Sequence, residues 1–329
     1  CGFGRHPRSG GSAGDGAGGP SEAGLPSSTP LAGGEGASGG AGGDRSSADR
    51  CPDSGSVGGE GPGGKPNQSH RHRLGRAFLG GSALHRPFAN LPWPLIPMVP
   101  VLEEEFPKAQ VALENDANGA ALGIQRFEAP REVTDLVYVT LSTGIGGGAI
   151  VNGTLCRGRG NGAEVGHMTI DCRPDALLCG CGRRGHWEAY GSGTGVAKRA
   201  RIALAGGEPP PLLREAIAQV GKLDAEAVYR AAAAGDRLCQ QLVEETAHYN
   251  AIGFAVLTDL FDPQKIFVGG SLTKSGSLTF NGISGLPMRE RVALHSLNEP
   301  PPIEVTALGD EVGLYGALVV AWEALTGKR

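Results

Sequence analysis

The chain has 329 residues, enough for one large domain or two domains of ordinary size. Its formal charge of -4 gives no net-charge reason to expect a nucleic-acid partner. A mean hydropathy of -0.15, without any run of about 18 apolar residues, argues against a membrane-spanning helix. Seven cysteines is an odd, modest number for this length, so no disulfide framework is expected. These properties predict a cytoplasmic protein with neither nucleic acid nor membrane as partner.

The first 87 residues differ from the rest in composition. Of the 56 glycines, 25 lie before residue 82, mixed with Ser, Pro, Arg and Asp, and the apolar residues there follow no helical or strand period. Such a segment buries too little apolar area to offset the entropy of ordering its backbone, so residues 1–87 are predicted to be disordered. It lacks the apolar centre of a signal peptide. The chain opens with Cys1 rather than Met, which is typical of a fragment or an open-ended reading of DNA.

From about Phe88 the sequence alternates between strand and helix patterns, which predicts the α/β class. The predicted elements are a strand over 134–142 that forms a hairpin with 149–155, a helix over 188–204, a helix over 237–261 capped by Asp236, a strand over 265–270 and a closing helix over 310–325.

Asn115 and Asp116 are the first candidate site residues. An amide beside a carboxylate can grip a polyol and take a proton from one of its hydroxyl groups. The alternative interpretation is a turn that caps the following helix.

A glycine-rich segment, Ser142 to Gly148, follows the first predicted strand. Glycines let backbone N–H groups turn toward an anion, and Thr143 adds a hydroxyl donor. The pattern is neither a Walker loop nor a dinucleotide fingerprint. A plain glycine-rich hairpin turn is the alternative.

His167, Cys179, Cys181 and His186 form a complete set of ligands for tetrahedral zinc. Scattered free thiols and a surface histidine are the alternative. Carboxylates on either side of this segment, Glu164 and Glu188, are candidates for accepting hydrogen bonds from sugar hydroxyls, although a single Glu is more often a solvated surface acid.

In order and spacing, the sequence from about residue 88 to 329 resembles the ROK family of sugar kinases and related repressors, and is most similar to its bacterial glucokinase branch. The resemblance is carried by the segments ENDANGAALG, YVTLSTGIGGGAIVNGTLCRG, GAEVGHMTI, CGCGRRGHWEAYGSG, VGGS and ALGDEVGLYGA. It implies an α/β, actin-like ATPase (ribonuclease H-like) kinase fold of two domains with the small N-terminal domain incomplete. Residues 88–118 and 308–329 would be the remnant of that small domain, and residues 119–307 the large sugar- and zinc-binding domain.

The resemblance also implies a role for each matching residue. Asp116 would be the general base that deprotonates a sugar hydroxyl. Sugar contacts would come from Asn115, Glu164, His167 and Glu188. ATP contacts would come from Thr143, Gly144, Gly146, Gly269 and Gly270. A structural zinc ion would be held by His167, Cys179, Cys181 and His186, where His186 replaces the family's usual fourth cysteine.

The reaction implied is transfer of the γ-phosphoryl group of ATP, with Mg²⁺, to a hexose, foremost glucose to glucose 6-phosphate, in a cytoplasmic homodimer or homotetramer. Kinases for N-acetylmannosamine, N-acetylglucosamine or fructose are the near alternatives, and a non-catalytic sugar sensor, as in ROK repressors, is the alternative of another class. The family opens with an Asp-x-Gly-Gly-Thr-Lys phosphate loop that residues 1–87 do not contain. An out-of-frame reading of GC-rich DNA, or a real extension on a truncated protein, would explain this, and either predicts impaired activity.

Overall fold

The computed structural model describes residues 98–160 and 162–327. The predictions for residues 1–87 lie outside this range. The helices are α1 (Met98–Glu105), α2 (Asp116–Phe127), α3 (Glu188–Gly191), α4 (Gly193–Leu204), α5 (Pro211–Val220), α6 (Ala225–Ala233), α7 (Arg237–Phe261), α8 (Ser277–Asn281), α9 (Met288–Ala293) and α10 (Val312–Thr326). The strands are β1 (Leu136–Leu141), β2 (Ile145–Val151), β3 (Thr154–Leu155), β4 (Lys265–Gly269) and β5 (Ile303–Val305). Short 3₁₀ turns lie at Val165–His167, Ser271–Ser275 and Gly309–Glu311.

The strands form one mixed sheet in the order β3-β2-β1-β4-β5. β1 pairs antiparallel with β2 and parallel with β4, and β4 pairs parallel with β5. The carboxyl ends of the three parallel strands therefore meet at one edge of the sheet, which is where ligands bind in open α/β sheets.

Each face of the sheet packs on its own hydrophobic core, because successive side chains of a strand point to opposite faces. Leu136 and Tyr138 of β1 pack with residues of α2 and α10. Val137, Val139 and Leu141 pack on the opposite face with residues of α4, α5, α6 and α7. The sheet is thus covered on both sides, and β1 runs through its centre.

A hairpin forms as predicted, but its second strand is β2, residues 145–151, rather than residues 149–155. The cap of the long helix is confirmed: the Asp236 side chain accepts a hydrogen bond from the Cys239 N–H at the start of α7. The helix predicted over 188–204 is wrong in one respect, since it is broken into α3 and α4. Ser192 has extended backbone angles and its hydroxyl accepts from the Gly195 N–H, so it ends one helix and caps the next.

Among residues 98–160 and 162–327, no helix combines the length and the apolar character needed to cross a bilayer.

Candidate functional site

The glycine-rich segment is a strand for most of its length. β2 begins at Ile145, so the prediction of one continuous loop from Ser142 to Gly148 is wrong, and Gly146 lies opposite Thr140 in the sheet. The physical reason is close packing on both faces of β2. A Cβ atom on Gly148 would lie 2.6 Å from the Ala117 carbonyl oxygen of α2, and one on Gly147 would lie 2.7 Å from Val165 Cγ2.

These contacts bring two predicted site segments to the same strand. The first turn of α2, with Asp116, lies against one face of β2, and the Val165–His167 turn lies against the other. The glycines of β2 therefore allow α2 and the Val165–His167 turn to pack closely on opposite faces of one strand, which brings the two parts of the site together.

We expect Gly148→Ala to destabilise the fold by about 1–3 kcal/mol, because the new methyl group overlaps backbone atoms of α2 that have no room to move. Gly313→Ala is the matched control, since a Cβ atom there, at the exposed start of α10, would meet nothing within 4 Å. The control is expected to be neutral or slightly stabilising. Chemical denaturation of both variants measures the difference, and equal stabilities would contradict this role for Gly148.

Asn115 and Asp116 stand at the amino end of α2. Asn115 is the N-cap, and its Oδ1 accepts hydrogen bonds from the N–H groups of Ala117 and Asn118. The helix-cap interpretation is therefore correct for this oxygen. Asp116 is exposed; its Oδ1 accepts from the Ala117 N–H at 2.9 Å, and its Oδ2 has no partner among the described residues. That free oxygen is available to a ligand.

Glu114, which precedes this pair, fixes the turn. Its Oε1 accepts from the Asn115 N–H and from the Asn118 amide, both at 3.1 Å. Its Oε2 accepts from Arg157 Nε at 2.6 Å. Glu114 opens the ENDANGAALG segment, but its contact with Arg157 is not evident from the sequence, because 43 positions separate the two residues and only the fold joins them.

Glu188 and Glu164 occupy different environments. Glu188 Oε2 accepts from the Ile145 N–H at 3.0 Å, next to Gly144, and its Oε1 accepts from the Cys179 thiol at 3.4 Å. Glu188 therefore touches both the start of β2 and the cysteine loop. Glu164 is exposed and directly precedes the Val165–His167 turn.

Trp187 anchors Glu188 to the body of the protein. It is fully buried, its Nε1–H donates to Asn250 Oδ1 at 2.9 Å, and its ring meets that of Phe254 edge-on at 5.5 Å. Both partners lie on α7. Since Trp187 stands between His186 and Glu188 in the chain, one buried ring fixes the position of both.

The four predicted metal ligands come together. One ligand atom from each of His167, Cys179, Cys181 and His186 lies within 4.8 Å of all the others. The Sγ–Nδ1 distance is 3.8 Å for Cys179 and His167, and 3.2 Å for Cys181 and His186. Ligands on a tetrahedral zinc ion stand about 3.3–3.8 Å apart, given zinc–sulfur and zinc–nitrogen bonds of about 2.3 and 2.0 Å. The donor set and its spacing fit that ion.

Electrostatics in this cluster follow from burial. Burial raises the pKa of the Cys179 thiol to about 12 and lowers the pKa of His186, to which the neighbouring His167 and Arg183 also contribute. A neutral imidazole is the form that ligates metals. A thiol must lose its proton to do so, and a metal ion supplies the charge that drives this loss.

Two clefts open at the sheet edge where the parallel strands end. The smaller, of about 290 Å³, is lined by Asp116, Tyr138 and Gly270 among others. The larger, of about 980 Å³, is lined by Thr143, by the start of α4 and by α6. Ser142 and Ser271 line both clefts, so the larger cleft adjoins the smaller one, which Asp116 lines.

The residues predicted to contact ATP are distributed unequally over these clefts. Thr143 lines the larger cleft and Gly270 the smaller, whereas Gly144, Gly146 and Gly269 are not among the residues lining either. Gly270 has φ +93°, a backbone conformation that favours glycine.

Much of the larger cleft was not found from the sequence. The residues missed share a position on its wall or rim, and they include Arg201, Lys222, Glu226, Tyr229, Arg230 and Lys274. They come from separate helices and turns and form no motif. The one available signal was Ser271, which directly follows a parallel strand and a glycine pair.

Comparison with known proteins defines the class. A family model described as the ROK family matches residues 83–324. The chain belongs to the ROK family. The predicted α/β class and actin-like ATPase fold are confirmed by this match and by the solved structures of the family. The domain boundaries at residues 118 and 308 stay a prediction.

Several similar proteins are sugar kinases, although a xylose repressor is among the relatives too. A glucokinase from Aeropyrum pernix is 31% identical over 258 residues, which cover 76% of this chain and 79% of the relative. An N-acetylmannosamine kinase from Escherichia coli O9:H4 is 33% identical over 267 residues, covering 78% and 81%. The crystal structure of a ROK family glucokinase from Streptomyces griseus, in complex with glucose and AMPPNP, matches with 32% identity and a TM-score of 0.62, covering 74% of this chain and 77% of that one.

Proposed function

We propose that this protein is a hexose kinase that transfers the γ-phosphoryl group of ATP to a sugar hydroxyl, with glucose as the preferred sugar. The observation that carries the proposal is the placement of Asp116. Its carboxylate lies at the amino end of α2, in a cleft that shares Ser142 and Ser271 with a second, larger cleft at the same sheet edge. A base for a hydroxyl group and a site for a nucleotide are thereby adjacent.

In this proposal Asp116 takes the proton. Its Oδ2 accepts the hydrogen of the sugar hydroxyl as the sugar oxygen forms a bond to the γ-phosphorus, and the bond from that phosphorus to the bridging oxygen breaks to release ADP. Oδ1, held by the Ala117 N–H, fixes the carboxylate during transfer. The Arg157–Glu114 pair keeps the turn in place, so that the base keeps its position relative to the nucleotide cleft.

The sugar site is proposed from the residues around β2. Asn115, Glu164, His167 and Glu188 would contact hydroxyl groups, in agreement with the roles that the resemblance implies. Glu188 supports this best, because Trp187 fixes its position while the carboxylate reaches the start of β2. A carboxylate can accept hydrogen bonds from two neighbouring hydroxyl groups, which is an arrangement that a hexose offers.

The nucleotide is proposed to occupy the larger cleft as its Mg²⁺ complex. Thr143 lines that cleft and Gly270 lines the adjoining one, so both are proposed to contact the nucleotide. Gly144, Gly146 and Gly269 are proposed to act indirectly. Because they admit close neighbours at the ends of β1, β2 and β4, they shape the edge of the sheet rather than touch the phosphates.

The metal proposed for the cysteine loop is zinc, bound by His167, Cys179, Cys181 and His186. All four positions of a tetrahedral ion are then filled by protein, which is typical of a structural site. The ion would therefore have a structural role: it would fix the loop that leads directly into Glu188.

A panel of sugars tests the proposal. Purified protein is incubated with Mg²⁺–ATP and glucose, N-acetylmannosamine, N-acetylglucosamine or fructose, and ADP release is measured. We expect the largest kcat/KM for glucose, at a low absolute rate because residues 1–87 contain no Asp-x-Gly-Gly-Thr-Lys loop. A preference for N-acetylmannosamine would change the proposed sugar but would still support a sugar kinase. Tight hexose binding without any ADP release, even after such a loop is supplied, would instead support a sugar sensor.

A further inference from the structure

The loop that carries three of the four metal ligands has little regular structure of its own. It extends from Asp171 to His186, between the Val165–His167 turn and α3, and its arms are joined by the isolated bridges Thr169–His186 and Leu178–Arg184. Backbone hydrogen bonds, such as those from the Gly185 N–H to the Leu177 oxygen and from the Cys179 N–H to the Arg183 oxygen, hold parts of the loop, and side-chain contacts add to them.

Tyr190 supplies such contacts from the last turn of α3. Its side chain is 2% exposed. The hydroxyl group donates to Asp171 Oδ2 at 2.5 Å and accepts from the Leu177 N–H at 2.7 Å. A single hydroxyl thus joins two parts of the loop, its beginning at Asp171 and Leu177 two positions before Cys179, to the helix that begins with Glu188.

Both partners of this contact are held in place. Arg173 donates to both oxygens of Asp171, from Nε at 3.0 Å and from Nη2 at 2.8 Å, and holds the pKa of that carboxyl well below its usual range. The Tyr190 ring lies 4.4 Å from that of Tyr249, and its carbonyl oxygen accepts from Arg199 Nη1. Contacts with Tyr249 and Arg199 therefore orient the Tyr190 hydroxyl group, and Arg173 orients the Asp171 carboxylate that accepts its hydrogen bond.

We propose that Tyr190 and Asp171 are positioning residues that hold the loop in its metal-binding shape before the ion arrives, and so set the affinity of the site without touching the ion. The inference rests on the proposed metal site and concerns how it is built. Ligands that are already in place pay less conformational entropy on binding, and groups that orient metal ligands commonly change metal affinity by about 10–100-fold.

The test is the zinc affinity of the full chain, measured by competition with a chromophoric chelator. Tyr190→Phe removes the hydroxyl and keeps the ring, and we expect it to weaken zinc binding by about 10-fold or more. Tyr249→Phe is the matched control: it alters the ring packed on Tyr190 but leaves both hydroxyl contacts, and its affinity should stay within about twofold of the unsubstituted chain. An unchanged affinity in Tyr190→Phe, or an equal loss in Tyr249→Phe, would overturn the proposal.

A second variant guards against a general folding defect. Asp171→Asn keeps an oxygen that accepts the tyrosine hydrogen but loses the charge paired with Arg173, so we expect an intermediate loss of affinity. Thermal unfolding in excess chelator is recorded for every variant. A lower melting temperature of the metal-free chain with unchanged zinc affinity would show a purely structural role and refute the proposal. Absence of zinc binding by the unsubstituted chain would refute the metal site itself, which is a distinguishable failure.

Discussion

Replacing Asp116 by Asn is expected to lower kcat for glucose phosphorylation by about 10²–10⁴-fold while the Kd for glucose changes by less than about threefold. The amide keeps the size of the carboxylate and still accepts from the Ala117 N–H, so α2 and the sugar site retain their shape. It cannot accept the hydroxyl proton during transfer. The measurement combines a coupled ADP assay with calorimetric titration of glucose, in a chain that carries a complete N-terminal phosphate loop.

Asn118 offers the control for this variant. It lies on the same turn, its amide donates to Glu114, and its Oδ1 is buried without a partner among the described residues. Asn118→Ala should perturb the turn and reduce kcat much less than Asp116→Asn does. If Asp116→Asn kept kcat near that of the unsubstituted protein, Asp116 would not be the base, and the Asn115–Asp116 pair would be only a helix cap.

Removing one metal ligand should produce the largest loss of stability. Cys181 is exposed, so Cys181→Ala opens no cavity in the core, and any large effect must come from the lost metal. We expect well under one equivalent of zinc and a melting temperature that matches the chelator-treated unsubstituted chain. At a free zinc concentration of about 1,000 times its Kd, the ion contributes about 4 kcal/mol. Glucose binding should weaken in parallel, because the same loop is joined to Glu188.

Cys172→Ala is the matched control, since this thiol is also exposed and lies beside Asp171 but outside the ligand cluster. It should keep one equivalent of zinc and its melting temperature. A full equivalent in Cys181→Ala would contradict the zinc site, as would no zinc in the unsubstituted chain together with reactive thiols at both ligand cysteines, Cys179 and Cys181.

The sequence was most informative where the determining interactions are local. Asp236 caps α7 through a hydrogen bond three residues away, and the hairpin of β1 and β2 forms between adjacent segments. The buried face of α7 was harder to predict. Leu260 is apolar yet 66% exposed, whereas Val243 and Phe254 of the same helix are fully buried. The buried face of a long helix depends on the elements that pack against it, and the helical period of the sequence does not show which elements these are.

The candidate site shows the same division. The metal ligands lie within one short stretch of chain, and their residue types were sufficient to predict that they meet. The glycines of β2 were predicted to lie in a loop, because glycines let backbone N–H groups turn toward an anion. They are required instead for close contact with α2 and Val165, which are distant in the sequence. The Tyr190–Asp171 contact joins side chains 19 positions apart across an irregular loop. Tyr190 lies within the segment CGCGRRGHWEAYGSG, but nothing in the sequence pairs it with Asp171.

Calorimetric titration of the full chain with glucose, alone and as Glu188→Gln, tests most directly the claim that a hexose site is assembled around β2. We expect one glucose per chain and a loss of affinity of about 10-fold or more in Glu188→Gln, since a charged acceptor contributes about 1.5–3 kcal/mol to a hydrogen bond. Glu132→Gln, a change just before the amino end of β1 and so at the opposite end of that strand from the clefts, should bind glucose like the unsubstituted chain. The hexose site around β2 would be contradicted if the chain bound neither glucose nor N-acetylmannosamine, N-acetylglucosamine or fructose, or if Glu188→Gln left the affinity for glucose unchanged.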